Sequence, residues 1–223
     1  MRLHFLTLVS LIGSTWAADV PVPVVQEPYH KTVLENGYVR ILDVHFGPGV
    51  TTLYHVHDVA SVVVYLTSSK NTSQTWGQTG STPRETTPGD SRYAPYDVTP
   101  LTHRVTNTGT TPFRVFDIEL LRPPLDQPFP TPQASVPRWE QKRVRASNFV
   151  VAPGTTARLK PNSCAHLLIG IRGEFSVEAG DAGAVAPGRR LEPQQYLFFA
   201  PGAGAILRNR GPEKAEAVLL ELK

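Results

Sequence analysis

The sequence predicts an all-β protein made of two similar halves. Apolar runs rich in Val, Ile, Tyr and Phe are short and recur along the chain, as half-buried strands require. Gly and Pro, 17 and 21 of 223 residues, stand between these runs as punctuation, and no stretch sustains a helical period. The turn signatures of the first half return in the second at nearly constant offset.

The first segment reads as an address rather than as structure. Arg2 and His4 precede the apolar stretch Phe5 to Ile12, and Gly13 to Ala18 are mostly small. A basic start, a short apolar core and a small-residue end are the parts of a secretory signal. Residues 1–18 are therefore expected to be removed, leaving a secreted or periplasmic protein. No later run approaches the ~18 apolar residues needed to span a bilayer.

The mature chain then gives candidate strands in order. YVRILDVHF (Tyr38 to Phe46), VVVYL (Val62 to Leu66) and FRVFDIELL (Phe113 to Leu121) belong to the first half. Ala165 to Ile171, Glu174 to Val177, Tyr196 to Phe199 and Ala217 to Leu222 belong to the second. Thr67 to Ser91 is polar and reads as a long surface hairpin or loop. Six prolines between Arg122 and Pro137 make a stiff connector. Pro48-Gly49 recurs as Pro153-Gly154 at an offset of 105, and Asn107-Thr108-Gly109 recurs as Asn209-Arg210-Gly211 at 102. The expected organisation is a domain over 19–122, a linker over 123–137 and a second domain over 138–223.

Composition narrows the function. The formal net charge is only +3 and the basic residues do not cluster, so there is no nucleic-acid footprint. A lone cysteine, Cys164, excludes an internal disulfide and a multi-cysteine zinc site, and it reads as a small buried hydrophobe.

Chemistry concentrates at Gly49 to Ser61. His55 and His57 are two apart in a β-like run, so both imidazoles share one face. His103 lies in a second strand-like run, and pairing of the two strands would let three imidazoles converge. Neutral imidazoles suit Fe, Zn, Cu and Ni. Ser61 and Tyr65 share the parity of His55 and His57 and are candidate pocket-lining residues. His30 and His45 have no spaced partner and are expected at the surface or satisfied in the core. Arg92 and Tyr93 are rim residues that could meet an anion, with solvated surface as the default. Asn107 is expected to hold a turn. Asn71-Thr72-Ser73 is a glycosylation sequon, relevant only in a eukaryotic host.

These residues resemble the cupin motifs. Gly49, five residues, His55, Val56 and His57 match the start of G-x5-H-x-H-x3,4-E-x6-G, and His103 to Asn107 match the H-x3-N of the second motif. The chain departs from the pattern in three places. Ser61 stands where the glutamate ligand belongs, the closing glycine is absent, and Pro95-Tyr96-Asp97 replaces P-x-G three residues early. The second half resembles a degenerate cupin, with Lys160, Asn162, His166 and Ala205 at the equivalent positions. The resemblance implies two tandem double-stranded β-helix (jelly-roll) barrels. It implies one divalent metal held by His55, His57 and His103, with Fe(II) favoured and Zn, Ni or Cu open, and a second barrel without metal. It further implies dioxygenase-type chemistry on a small-molecule substrate, the alternative being a noncatalytic metal- or ligand-binding protein. Pairing into a homodimer is common among such barrels.

Overall fold

The computed structural model describes residues 20–133, 137–180 and 188–223; the expected leader, 1–18, lies outside them. Nineteen strands form four sheets among the described residues. The first half holds β1 (Val22–Pro23), β2 (His30–Glu35), β3 (Val39–Phe46), β4 (His55–His57) and β5 (Ser61–Tyr65). It continues with β6 (Ser69–Thr75), β7 (Thr82–Thr86), β8 (Ser91–Ala94), β9 (Leu101–Asn107) and β10 (Phe113–Leu120). The second half holds β11 (Pro137–Glu140), β12 (Val144–Val151), β13 (Thr156–Leu159), β14 (Ala165–Arg172) and β15 (Phe175–Ala179). Its last strands are β16 (Arg189–Leu191), β17 (Tyr196–Phe199), β18 (Ala205–Arg208) and β19 (Ala215–Leu222).

Each half is a barrel of two sheets. The first pairs β1-β4-β9-β6-β7 with β2-β3-β10-β5-β8, and the second pairs β13-β18-β15-β16 with β11-β12-β19-β14-β17. Strand order is the same in both halves apart from the added β1, so the repeat seen in the turns extends to the topology. The polar Thr67 to Ser91 segment is a hairpin, as expected, but its first strand is not merely surface. β6 pairs with β9 in the interior of the sheet and puts Asn71 and Ser73 on the barrel wall.

Alternation along the strands explains the packing. In β10, Phe116, Ile118 and Leu120 face outward and meet Val39, Ile41, Val62 and Val64 of the same sheet. That outer face stacks on Val144, Ala146, Leu167, Ile169, Val218 and Leu220 of the second barrel in one continuous core. The VVV run of β5 is therefore apolar on both faces because both are covered. The inward face of β10 reads Phe113, Val115, Asp117, Glu119, an apolar-to-acidic gradient along the barrel axis. The second barrel keeps an apolar interior around Phe149, Phe175, Leu168 and Leu207.

The repeated turns have a shared physical cause. Gly49 and Gly154 sit at φ of +76° and +69°, a region costly for any residue with a Cβ. Asn107 is fully buried; its Oδ1 accepts from the Gly109 amide (3.0 Å) and Ser69 Oγ (3.1 Å), and its Nδ2 donates to the Thr111 carbonyl (2.9 Å). Asn209 repeats this, accepting from the Gly211 amide (2.9 Å) and donating to the Val151 (2.9 Å) and Glu213 (2.6 Å) carbonyls. The side chain thus stands in for a strand partner where the chain leaves one sheet for the other. Asn107→Ala and Asn209→Ala are each expected to cost about 2–4 kcal/mol, since buried partners lose their bonds. Denaturant unfolding measures this, and an unchanged midpoint in both variants would contradict the structural role.

Candidate metal centre

The first barrel encloses a cavity of about 530 Å³, and four histidines meet on its wall. His55 and His103 are direct cross-strand partners in β4 and β9, with ring centroids 4.7 Å apart. His57, two residues along, has its ring centroid 4.9 Å from that of His55 and 5.1 Å from that of His103. The structure therefore brings together the three histidines singled out by spacing. It adds a fourth: His30, at the start of β2 in the opposite sheet, lies 4.5 Å from His55 centroid to centroid. His30 is satisfied in the core by Glu27, one of the two places expected for it, but its position at the histidine cluster was not expected; His45 is exposed.

Three of the imidazoles are held by a hydrogen bond at Nδ1, and the fourth, His57, has a carboxylate beside it without hydrogen-bond geometry. His30 Nδ1 meets Glu27 Oε2 at 2.6 Å, and His55 Nδ1 meets the Leu53 carbonyl at 2.9 Å. His57 Nδ1 stands 3.2 Å from Asp117 Oδ2, and His103 Nδ1 lies 2.8 Å from Ser73 Oγ. The Glu27 carboxylate and the Leu53 carbonyl can only accept, so in His30 and His55 the proton belongs on Nδ1 and the lone pair on Nε2. Carbonyl and carboxylate partners behind an imidazole are the usual outer shell of metal-ligating histidine. His57 Nε2 and His103 Nε2 are 3.2 Å apart, a separation that suits two nitrogens sharing one ion at about 2.0–2.1 Å. His30, His55 and His57 offer nitrogens all within 4.8 Å of one another, a three-histidine cluster that could hold a metal ion.

Electrostatics keep His55 and His103 neutral. Burial, then the neighbouring His30 and His57, push His55 down to about 3. Burial and the other histidines push His103 down to about 2. Burial alone would raise the carboxyls of Glu27 and Asp117, but hydrogen bonding and charge from His30 and His57 outweigh it and hold both below their ordinary values. Two carboxylates behind the imidazoles, with two of the rings held neutral, form a set of groups that suits a divalent cation.

The remaining candidates separate. Tyr65 lines the cavity, and its hydroxyl oxygen accepts from Arg84 Nη1 (3.0 Å) and Arg92 Nε (3.3 Å). Ser61 faces inward but is fully buried, donates to the Val59 carbonyl at 3.2 Å, and is not part of the cavity wall. The carboxylate near His57 comes instead from Asp117 on β10. Tyr96, from the replaced P-x-G segment, stacks on His57 with centroids 4.9 Å apart. Asn71 is buried on the cavity wall, so a glycan on its amide is incompatible with the fold.

In the second barrel the equivalents differ by one residue from the sequence alignment. His55 faces His103, but the residue facing Ala205 is Leu159, not Lys160. The first half has one extra residue between the Thr51–Thr106 bridge and His55, which shifts the register there. Lys160 is exposed accordingly. His166 is fully buried, and neither ring nitrogen has a hydrogen-bond partner. Cys164 is buried too, its thiol pushed up to about 11 chiefly by burial.

No family model matches the sequence, and neither does any curated protein. Solved structures do resemble the fold. AerE from Microcystis aeruginosa aligns at TM-score 0.61 with 10% identity over 88% of this chain and 98% of its own. The oxalate decarboxylase of Lactobacillus farciminis, solved as a formate complex, aligns at 0.57 and 9% over 87% and 84%. A cupin 2 conserved barrel domain protein from Leptotrichia buccalis aligns at 0.54 and 7% over 86% and 88%. The chain is therefore a two-barrel protein of the cupin fold, with a histidine cluster able to take a metal ion in its first barrel.

One prediction concerns His166. Burial, then the charge of Arg145, lowers it from 6.5 to about 4, so the folded state prefers the neutral ring. Its folded pKa lies below the unfolded one, so the preference for the neutral ring stabilises fully above pH 6.5 and is lost as pH falls toward 4. The loss amounts to roughly 3 kcal/mol. His166→Leu should lose less stability than wild type between pH 7 and pH 4.5 in denaturant titrations. Parallel pH profiles for the two proteins would contradict this.

Proposed function

We propose that this is an exported metalloprotein whose first barrel holds one divalent ion among His30, His55, His57 and His103, Fe(II) in first place, and oxidises a small molecule in a dioxygenase-type reaction. The observation that carries the reading is four imidazoles converging on one cavity, three of them held by a hydrogen bond at Nδ1 and the fourth, His57, standing 3.2 Å from the Asp117 carboxylate. An all-imidazole donor set favours Fe, Zn, Ni or Cu over Mn or Mg.

A bound divalent ion would supply a Lewis-acidic centre with positions open to substrate and dioxygen. The protein's part follows from its own groups. Glu27 holds the Nδ1 proton of His30, and Asp117 stands 3.2 Å from His57 Nδ1, so that both carboxylates offset cationic charge from behind the rings. The Leu53 carbonyl and Ser73 fix the other two rings. The apolar wall of Val44, Phe46, Phe113 and Val115 limits water around the reacting centre. Export rests on the leader-like residues 1–18. No helix among the described residues is long and apolar enough to cross a membrane.

The test is metal content by elemental analysis on protein purified without a histidine tag. Wild type should carry about one ion per chain, and His30→Ala, His55→Ala, His57→Ala and His103→Ala should each weaken binding at least tenfold. His45→Ala should match wild type. Undiminished metal in all four cluster variants would overturn the assignment. Dioxygen uptake over a small-molecule panel with Fe(II) restored tests the oxidative reading; a fully loaded protein inert to the whole panel would favour the binding-protein alternative.

A further inference from the structure

The cavity holds a cation that the metal reading does not use. Arg92 projects from β8 at the level of Asp117, since both pair with Val63 of β5. Its Nε donates to Tyr65 Oη at 3.3 Å and its Nη2 to Tyr96 Oη at 3.2 Å. Among the described residues no carboxylate pairs with it, although it lines the same cavity as the histidines. A guanidinium carries five N–H donors. Two are used, and both go to neutral hydroxyls. The carboxylate on this wall, Asp117, lies 3.2 Å from His57 Nδ1, and that of Glu27, behind the wall, is bonded to His30.

A second donor points into the same space. Asn71 is only 4% exposed, lines the cavity, and its Nδ2 has no hydrogen-bond partner. Its cross-strand partner is Arg84, which also lines the cavity and donates to Tyr65 Oη. A partly buried guanidinium without a counter-ion and a buried amide without an acceptor are both costly unless a ligand completes them. Along the same sheet as Arg92 the wall becomes apolar, formed by Val44 and Phe46 of β3 and Phe113 and Val115 of β10.

We infer that the cavity takes a small organic carboxylate with an apolar body, its carboxylate held by Arg92 and Asn71 and its body lying against the Phe46–Phe113 wall. This rests on the first barrel being a ligand-binding site, as proposed above, but not on which metal fills it. Planar two-donor contact to a carboxylate is what a guanidinium does best. Tyr96 touches both Arg92 and His57, so the bound head group would lie beside the histidine cluster. The sequon residue Asn71 thereby has a use that its surface reading does not supply.

Calorimetric titration of the full mature chain tests this with benzoate and hexanoate against benzamide and hexanamide, and with oxalate as an anion lacking an apolar body. Each is run on the metal-loaded protein and again after chelator treatment. Both carboxylates should bind at least tenfold more tightly than their amides and more tightly than oxalate. Arg92→Gln should abolish the preference for acid over amide while leaving metal content at the wild-type level. Asn71→Asp, which puts a negative charge in the patch, should weaken benzoate at least tenfold. Persistence of benzoate binding in the chelated protein supports the inference even where no metal is found. Equal affinity for acid and amide, tighter binding of oxalate, no binding of either carboxylate, or unchanged benzoate affinity in Arg92→Gln would overturn it. The wild-type comparison decides the matter if a variant does not fold.

Discussion

The sheet β2-β3-β10-β5-β8 is buried on both faces, and the site depends on that constraint. Its outer face is locked to the second barrel by Phe116, Ile118, Val62, Val64 and their partners. Its inner face can therefore carry groups that a loosely held sheet would expose. His30, Asp117 and Arg92 all project from it, opposite the His55–His57–His103 group on the facing sheet. Two carboxylates below their ordinary range in a buried position need fixed partners, and rigidity supplies them. On this account the second barrel contributes to the site through mechanics: it covers a sheet whose apolar outer face cannot face water.

The site is also a study in sharing. Three of the imidazoles use Nδ1 in a hydrogen bond that holds their place, and all four line the cavity. Low pKa values at His55 and His103 follow from burial and from crowding by like groups, so these rings stay neutral. The charge that the cluster lacks lies in Glu27 and Asp117 behind it, and in Arg92 beside it. A histidine cluster able to take a cation, two carboxylates behind it and a guanidinium without a counter-ion leave room for an anion, which links the metal reading to the carboxylate inference.

Much of this was legible in the chain. Strand runs, turn signatures and their offsets show two all-β halves, because alternation and Gly/Pro punctuation are local. His55, His57 and His103 follow from spacing and strand parity. His30 does not. Its place beside His55 is set by β2 lying in one sheet and β4 in the other, which no local pattern encodes; the only cue was Glu27 three residues before it. The shift from Lys160 to Leu159 escaped for a similar reason, since one extra residue near Thr51 changes register without changing composition. Ser61 shares parity with the histidines and still stays off the cavity wall, because parity gives a face but not a depth along the barrel. Arg92 looked like rim; its tyrosine partners lie 27 residues before it and four after it, and only the fold joins them.

The most direct measurement is a crystal structure of the metal-loaded mature protein with anomalous data collected at the absorption edge of the bound metal. The account predicts one anomalous peak per chain in the first barrel, within about 2.0–2.3 Å of the Nε2 atoms of His55, His57 and His103, with His30 Nε2 as a further ligand. The Nδ1 contacts to Glu27, Leu53, Asp117 and Ser73 should remain. A peak coordinated through Nδ1, a peak in the second barrel, or a loaded protein with no peak at the histidine cluster would contradict it.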